Sequence, residues 1–179
     1  YLPMIFDLRT IVFFVSNIIL LCMTLMVNSA LSVWSIYLLL LGPMIVFPAL
    51  YLRHRYYLIC TLCTGLCCDA ALPSPYGVFT ILFLISGSCI FQFRIRFRAE
   101  QNYHPILLSH GVNFFYIISV SIYMSTSYLF SVGFWIHLSV VTAVSHVVLL
   151  IVAPWFFNFE RMLFTLFHLD TDPEDYPVV

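Results

Sequence analysis

The chain has 179 residues, of which 63% are hydrophobic, 18% aromatic and only 8% charged, and its formal net charge is −1. Soluble domains carry about 25% charged residues, so this chain has too few charges to cover a globular surface in water. The composition excludes a soluble domain, a disordered chain and a disulfide-rich secreted fold, and the charge argues against a nucleic-acid partner. We therefore predict that membrane lipid is the main solvent of this protein.

Apolar stretches follow one another along the chain, and each is close to the length that a helix needs to cross the hydrocarbon layer. We predict an all-α polytopic membrane protein with six transmembrane helices. A β-barrel is disfavoured because barrel strands alternate polar and apolar residues, whereas residues 18–21 are all apolar. Gly42, Pro43 and Pro48 predict a kink in the second span. The predicted spans cover residues 11–27, 31–52, 56–72, 77–93, 106–124 and 134–157.

The basic residues predict the orientation of these spans. All seven are arginines, and in a six-span arrangement they all fall on the same side of the membrane. Because cytoplasmic loops carry the excess of basic residues, we expect this side to be cytoplasmic and both termini to lie there. The seven residues are Arg9, Arg53, Arg55, Arg94, Arg96, Arg98 and Arg161.

Asp69 is the single acid inside a predicted span, about one turn from the outer end of the third. Gly65 lies four residues earlier, on the same helical face, and a glycine there permits close approach of another helix. Pro73 and Pro75 end the helix, and Gly77 permits a positive φ before the fourth span. Intramembrane acids mark either function or a paired structural role. We favour a brace for the turn and keep a proton-handling or ligand site as the alternative.

Four cysteines of the third span, Cys60, Cys63, Cys67 and Cys68, raise the question of a metal site. Side chains from one continuous helix lie along a stripe, so they cannot surround a metal ion tetrahedrally. Free cysteine also packs as a small apolar residue. We predict packing or lipid-facing positions for these cysteines, and no metal site.

Polar side chains form one stripe on the fifth span, with Ser109 and Asn113, and another on the sixth, with Ser139, Thr142 and His146. Such stripes usually form hydrogen bonds between helices, which is the interpretation that we favour. The alternative is that the two stripes line a polar cavity.

Histidines within membrane helices also raise the question of a haem or a proton relay. Counting from the predicted ends places His110 near the inner end of the fifth span and His146 near mid-membrane. Axial haem ligands must face each other at one depth. This placement therefore predicts no haem and no other cofactor.

Two features are predicted for the cytoplasmic side. Arg94, Arg96 and Arg98 form a basic edge after the fourth span, which either anchors the protein to anionic lipid or docks a cytoplasmic partner. Residues 158–169 have an amphipathic pattern that suits a helix along the interface or a continuation of the sixth span. Residues 170–179 are acidic and proline-containing, and are expected to form a flexible tail.

The segment GLCCDAALPSPYG, residues 65–77, resembles the family of the bacterial rod shape-determining protein MreD. That family shows a glycine, an aspartate four residues later, and then a proline-containing turn that closes on glycine. The arginines after the fourth span and the APWFF ending of the sixth, residues 153–157, are also similar to the family. The resemblance implies that Gly65, Asp69, Pro73, Pro75 and Gly77 form the family turn at the outer surface.

The resemblance also implies a fold and a function. The fold is expected to be similar to the membrane substrate-binding subunits of energy-coupling vitamin transporters. The function would be a non-enzymatic scaffold of the elongasome in the bacterial inner membrane. Such a scaffold binds MreC, and through it MreB, RodA and a class B penicillin-binding protein, during peptidoglycan synthesis and rod-shape maintenance.

Two functional hypotheses follow. The first is this scaffold, because the sequence shows no phosphate-binding loop, HExxH pair, nucleophile elbow or paired carboxylates within a span. The second is a small-molecule or lipid-binding membrane transport subunit. An outward-facing polar pocket that contains Asp69 or His146 would favour the second hypothesis.

Overall fold

A computed structural model of the chain describes residues 8–98, 104–125 and 131–168. Every regular element in these ranges is a helix, as predicted for an all-α protein. Three helical segments, Leu8–Trp34, His104–Met124 and Val132–Leu166, are long and apolar enough to cross a membrane. The elements are α1 (Leu8–Leu31), a 3₁₀ helix (Ser32–Trp34), α2 (Gly42–Tyr51), α3 (His54–Ala71), α4 (Val78–Arg98), α5 (His104–Met124) and α6 (Val132–Leu166).

The second predicted span differs most from the structure. Residues 31–52 were expected to form one kinked helix, but the chain leaves α1 through the 3₁₀ helix and a left-handed Ser35, with φ of 55°. Residues 36–41 are not helical, and α2 begins only at Gly42. Pro43 explains this start, because proline lacks a backbone N–H and is favoured in the first turn of a helix.

The non-helical segment before α2 obtains its hydrogen bonds from side chains. The Leu38 N–H donates to Asn28 Oδ1 over 2.7 Å, and Asn28 Nδ2 donates back to the Leu38 carbonyl oxygen over 2.9 Å. The Leu39 N–H lies 3.4 Å from Ser145 Oγ of α6. Irregular backbone is tolerated at membrane depth only where its polar groups are satisfied within the protein. These bonds therefore allow Leu38, Leu40 and Leu41 of this segment to be buried in the bundle.

α2 lies at the centre of the bundle, and all its residues from Gly42 to Leu50 are buried. The Phe47 ring of α2 lies 5.5 Å from the ring of Phe13 on α1 and 5.1 Å from the ring of Phe157 on α6, between centroids. Aromatic pairs at such distances contribute stability beyond their buried area. These rings join α1, α2 and α6 within a core to which α3, α4 and α5 also contribute buried residues.

α6 continues without a break to Leu166, past the predicted end of the sixth span at residue 157. Residues 158–166 are therefore a continuation of that helix, which is one of the two forms that their pattern predicted. The acidic tail, residues 170–179, lies outside the described residues.

Candidate functional site

Asp69, near the end of α3, holds the start of α4. Its side chain is only 3% exposed. The Phe79 N–H donates to Oδ1 over 2.8 Å, and the Thr80 N–H and hydroxyl donate to Oδ2 over 3.1 and 2.6 Å. The first N–H groups of a helix have no partner within that helix. Asp69 therefore acts as an N-terminal cap supplied by the neighbouring helix.

The other residues of the predicted turn lie around this cap. A Cβ atom on Gly65 would stand 2.7 Å from the Thr80 Cα atom, so the crossing of α3 and α4 requires a residue without a side chain at this position. Gly77 has a φ of +95°, which glycine adopts without strain. The Pro75 carbonyl oxygen accepts a hydrogen bond from Val78 N–H over 3.4 Å.

Replacing Gly65 with alanine is expected to lower the free energy of unfolding by about 1–3 kcal/mol, the usual cost of overpacking. The added methyl group would meet the α4 backbone, which cannot rotate away as a flexible side chain can. Reversible unfolding in mixed detergent micelles measures the effect. Gly111→Ala is the matched control, because a Cβ atom there meets no atom within 4 Å. Equal stability of the two variants would contradict the close contact.

The fifth-span residues Ser109 and Asn113 are fully buried and face the start of α2. Asn113 Oδ1 accepts hydrogen bonds from the Leu41 N–H over 3.0 Å and the Gly42 N–H over 3.3 Å. The Ser109 hydroxyl donates to the Pro105 carbonyl oxygen of its own helix over 2.8 Å. Asn113 thus caps α2 from α5, as Asp69 caps α4 from α3.

The sixth-span residues lie in other environments. Ser139 is exposed and donates to the Trp135 carbonyl oxygen of α6, and Thr142 is half-buried. His146 Nδ1 lies 2.8 Å from His110 Nδ1 of α5, and their rings stack with centroids 5.1 Å apart. The residues of the two polar stripes therefore lie in three different environments, namely the start of α2, the histidine pair and the exposed side of α6. They do not line one cavity.

The pairing of His110 with His146 corrects their predicted depths. Counting residues from the predicted span ends placed the two histidines at different depths in the membrane. In the structure, however, their rings are half-buried and in contact. His110 lies six residues after the start of α5, whereas His146 lies twenty residues before the end of α6, so these two helix ends are not at one level and counts from them have no common origin. Contacts between helices, and not counts along each helix, decide which side chains share a depth.

A cavity of about 440 Å³ lies between α5 and α6, at the end of the bundle that holds the α3–α4 turn. Its lining includes Tyr37, Pro73, Phe134 and His137, and most of its other residues are apolar. Neither Asp69 nor His146, the two residues chosen to distinguish a ligand pocket, is among its lining residues.

The remaining predicted residues show no shared site. Cys60 and Cys68 are buried, and within the described ranges no three histidine, cysteine or acidic side chains are grouped as a metal would require. Arg94, Arg96 and Arg98 continue α4 as its last turns. Their side chains lie outside what the structure describes.

Glu160 was not predicted as a site residue. It lies in the amphipathic segment, residues 158–169, but its side chain is 0% exposed. Its spacing carried the signal, because Glu160 follows Phe157 by three residues and precedes Phe164 by four, which places it on their buried face.

Comparison of the chain with protein-family models, curated proteins and solved structures gave no significant match.

Proposed function

We propose that this chain is a non-catalytic, MreD-like scaffold of the bacterial cytoplasmic membrane. In this proposal it crosses the membrane six times with both termini in the cytoplasm. It binds MreC, and through MreC it supports MreB, RodA and a class B penicillin-binding protein in peptidoglycan synthesis during cell elongation.

The observation that carries the proposal is how the buried polar groups are used. Asp69 caps α4, Asn113 caps α2, and Asn28 holds the segment before α2. These groups join helices to one another and do not converge on a common cavity. A bundle whose buried polar side chains hold its helices together is suited to a rigid structural role.

The surface supports recognition by a membrane partner. Large apolar side chains are exposed along α1 and α6. A surface of this kind meets either lipid or apolar helices of another protein, because helix association within a membrane depends on close packing. The partner in this proposal is therefore met within the membrane.

Co-purification tests the scaffold proposal. The tagged chain is co-expressed with MreC, extracted in mild detergent and captured, with an unrelated polytopic membrane protein of similar size as the control. MreC is expected to be retained by this chain and lost from the control. Reproducible loss of MreC from the chain, while size exclusion shows that both proteins remain folded, would contradict the proposal.

The alternative, a small-molecule or lipid-binding transport subunit, is supported by the 440 Å³ cavity at the α3–α4 end of the bundle. Ligand cavities commonly have this size. Native mass spectrometry tests it, with His137→Trp as a variant that fills the cavity. A small molecule or lipid retained by the unaltered chain and absent from the variant would favour this alternative over the scaffold.

A further inference from the structure

Glu160 and Asp69 are both buried acids, but their surroundings are opposite. Asp69 accepts hydrogen bonds from three donors. Neither carboxyl oxygen of Glu160 has a hydrogen-bond partner among the residues that the structure describes, and its side chain is 0% exposed. Loss of hydration with no compensating donor makes the charged form of a carboxyl group very costly.

The level of Glu160 in the bundle follows from its neighbours. The rings of Phe13 on α1 and Phe164 on α6 lie 4.9 Å apart. Further along, Leu20 and Val152 line one groove, so α1 and α6 run in opposite directions. Glu160 is one turn before Phe164, which places it near the level of the residues one turn after Phe13.

Asn17 is the buried polar residue of α1 at that level. Its Nδ2 donates to the Met44 carbonyl oxygen over 3.0 Å and to Thr64 Oγ1 of α3 over 3.2 Å. Its Oδ1 has no hydrogen-bond partner within the described residues. The carboxyl oxygens of Glu160 and the amide oxygen of Asn17 thus lie near the same level of the interior, and none of them accepts a hydrogen bond from the described residues.

The ionisable groups around Glu160 do not supply the missing charge. On α3, Cys60 and Tyr57 are buried one turn apart, and neither donates a hydrogen bond to Glu160. The one ionisable side chain of α2 is Tyr51, at its last residue, and it donates no hydrogen bond to Glu160. Arg161 follows Glu160 on α6 but donates no hydrogen bond to it. Arg9, near the start of α1, is two turns before Asn17.

We propose that Glu160 is a proton-binding site whose carboxyl group carries a proton at neutral pH, and that this proton allows the C-terminal part of α6 to pack against α1 and α2. A bound proton removes the charge and turns one carboxyl oxygen into a hydrogen-bond donor. It also needs no space beyond that of the side chain. This inference does not depend on the proposed function.

Infrared spectroscopy of the purified full-length chain in lipid tests the proposal. A protonated carboxylic acid has a carbonyl stretch at higher frequency than an ionised carboxylate. At pH 7, where exposed acids are ionised, we expect such a band in the unaltered chain and its loss in Glu160→Gln. The variant Asp69→Asn is the matched control and is expected to keep the band.

Isotope labelling keeps the test independent of whether these variants fold. In the unaltered sequence, carbon-13 glutamate is expected to shift the band, whereas carbon-13 aspartate leaves it unchanged. The other glutamates, Glu100 and Glu174, are replaced together by glutamine, and the band should remain. Absence of a glutamate-sensitive band at pH 7 would overturn the proposal. So would its loss on addition of sodium ions, because the site would then hold a metal cation in place of a proton.

Discussion

Replacing Asp69 with alanine is expected to lower the free energy of unfolding by about 4 kcal/mol, because buried donors without partners cost about 1–3 kcal/mol each. Three hydrogen bonds to the start of α4 are lost, and the Phe79 and Thr80 N–H groups have no other partner within the first turn of their helix. Reversible unfolding in mixed detergent micelles measures the change.

Asp69→Asn is the matched control for this prediction. The amide keeps one oxygen acceptor in the same position, so we expect it to lose about half as much stability as alanine. An Asp69→Ala protein with normal stability and normal partner binding, in cells that nevertheless fail to grow as rods, would contradict the capping role. It would favour the proton-handling or ligand site that was the alternative for this residue.

Asn113→Leu is expected to produce the second large effect. It should lower the free energy of unfolding by about 3 kcal/mol, because it leaves two buried N–H donors without an acceptor and each costs about 1–3 kcal/mol. Leucine has a similar shape but no acceptor, so the Leu41 and Gly42 N–H groups at the start of α2 lose their cap. Because α2 lies in the centre of the bundle, the effect should extend beyond the local turn.

Two measurements check the Asn113 prediction. Unfolding gives the loss of stability, with Ser139→Ala as a control expected to change it by less than about 0.5 kcal/mol, because Ser139 is exposed. Hydrogen exchange should accelerate at residues 41–42 in Asn113→Leu. Unchanged exchange at these two residues would show that Asn113 does not cap α2.

Helix positions were the most predictable part of the fold. The predicted spans 56–72 and 106–124 lie close to α3, His54–Ala71, and α5, His104–Met124. Runs of apolar residues are a local property, and in lipid a backbone must satisfy its hydrogen bonds within its own segment. The exception, residues 31–52, is informative because the non-helical part depends not only on the nearby Asn28 but also on Ser145 and Asn113, which are 106 and 72 residues from their partners.

The candidate site was predictable only where its residues are close in the chain. The turn around Asp69 was recognisable because Gly65, Asp69 and Gly77 lie within 13 residues, and the structure places all three where α3 joins and crosses α4. The role of Asn113 was not, since its partner Leu41 is 72 residues away. No local pattern specifies which helix a buried amide faces.

The sequence by itself determined the solvent of this protein and the positions of most of its helices, because both depend on where its few charges and its long apolar runs lie. Only the tertiary structure decided what each buried polar group does. Asp69 and Glu160 are both acids within apolar helices, yet one meets three donors and the other meets none among the residues that the structure describes. The physical reason is that hydrogen bonds and desolvation depend on neighbours from other helices, and packing alone brings those neighbours together.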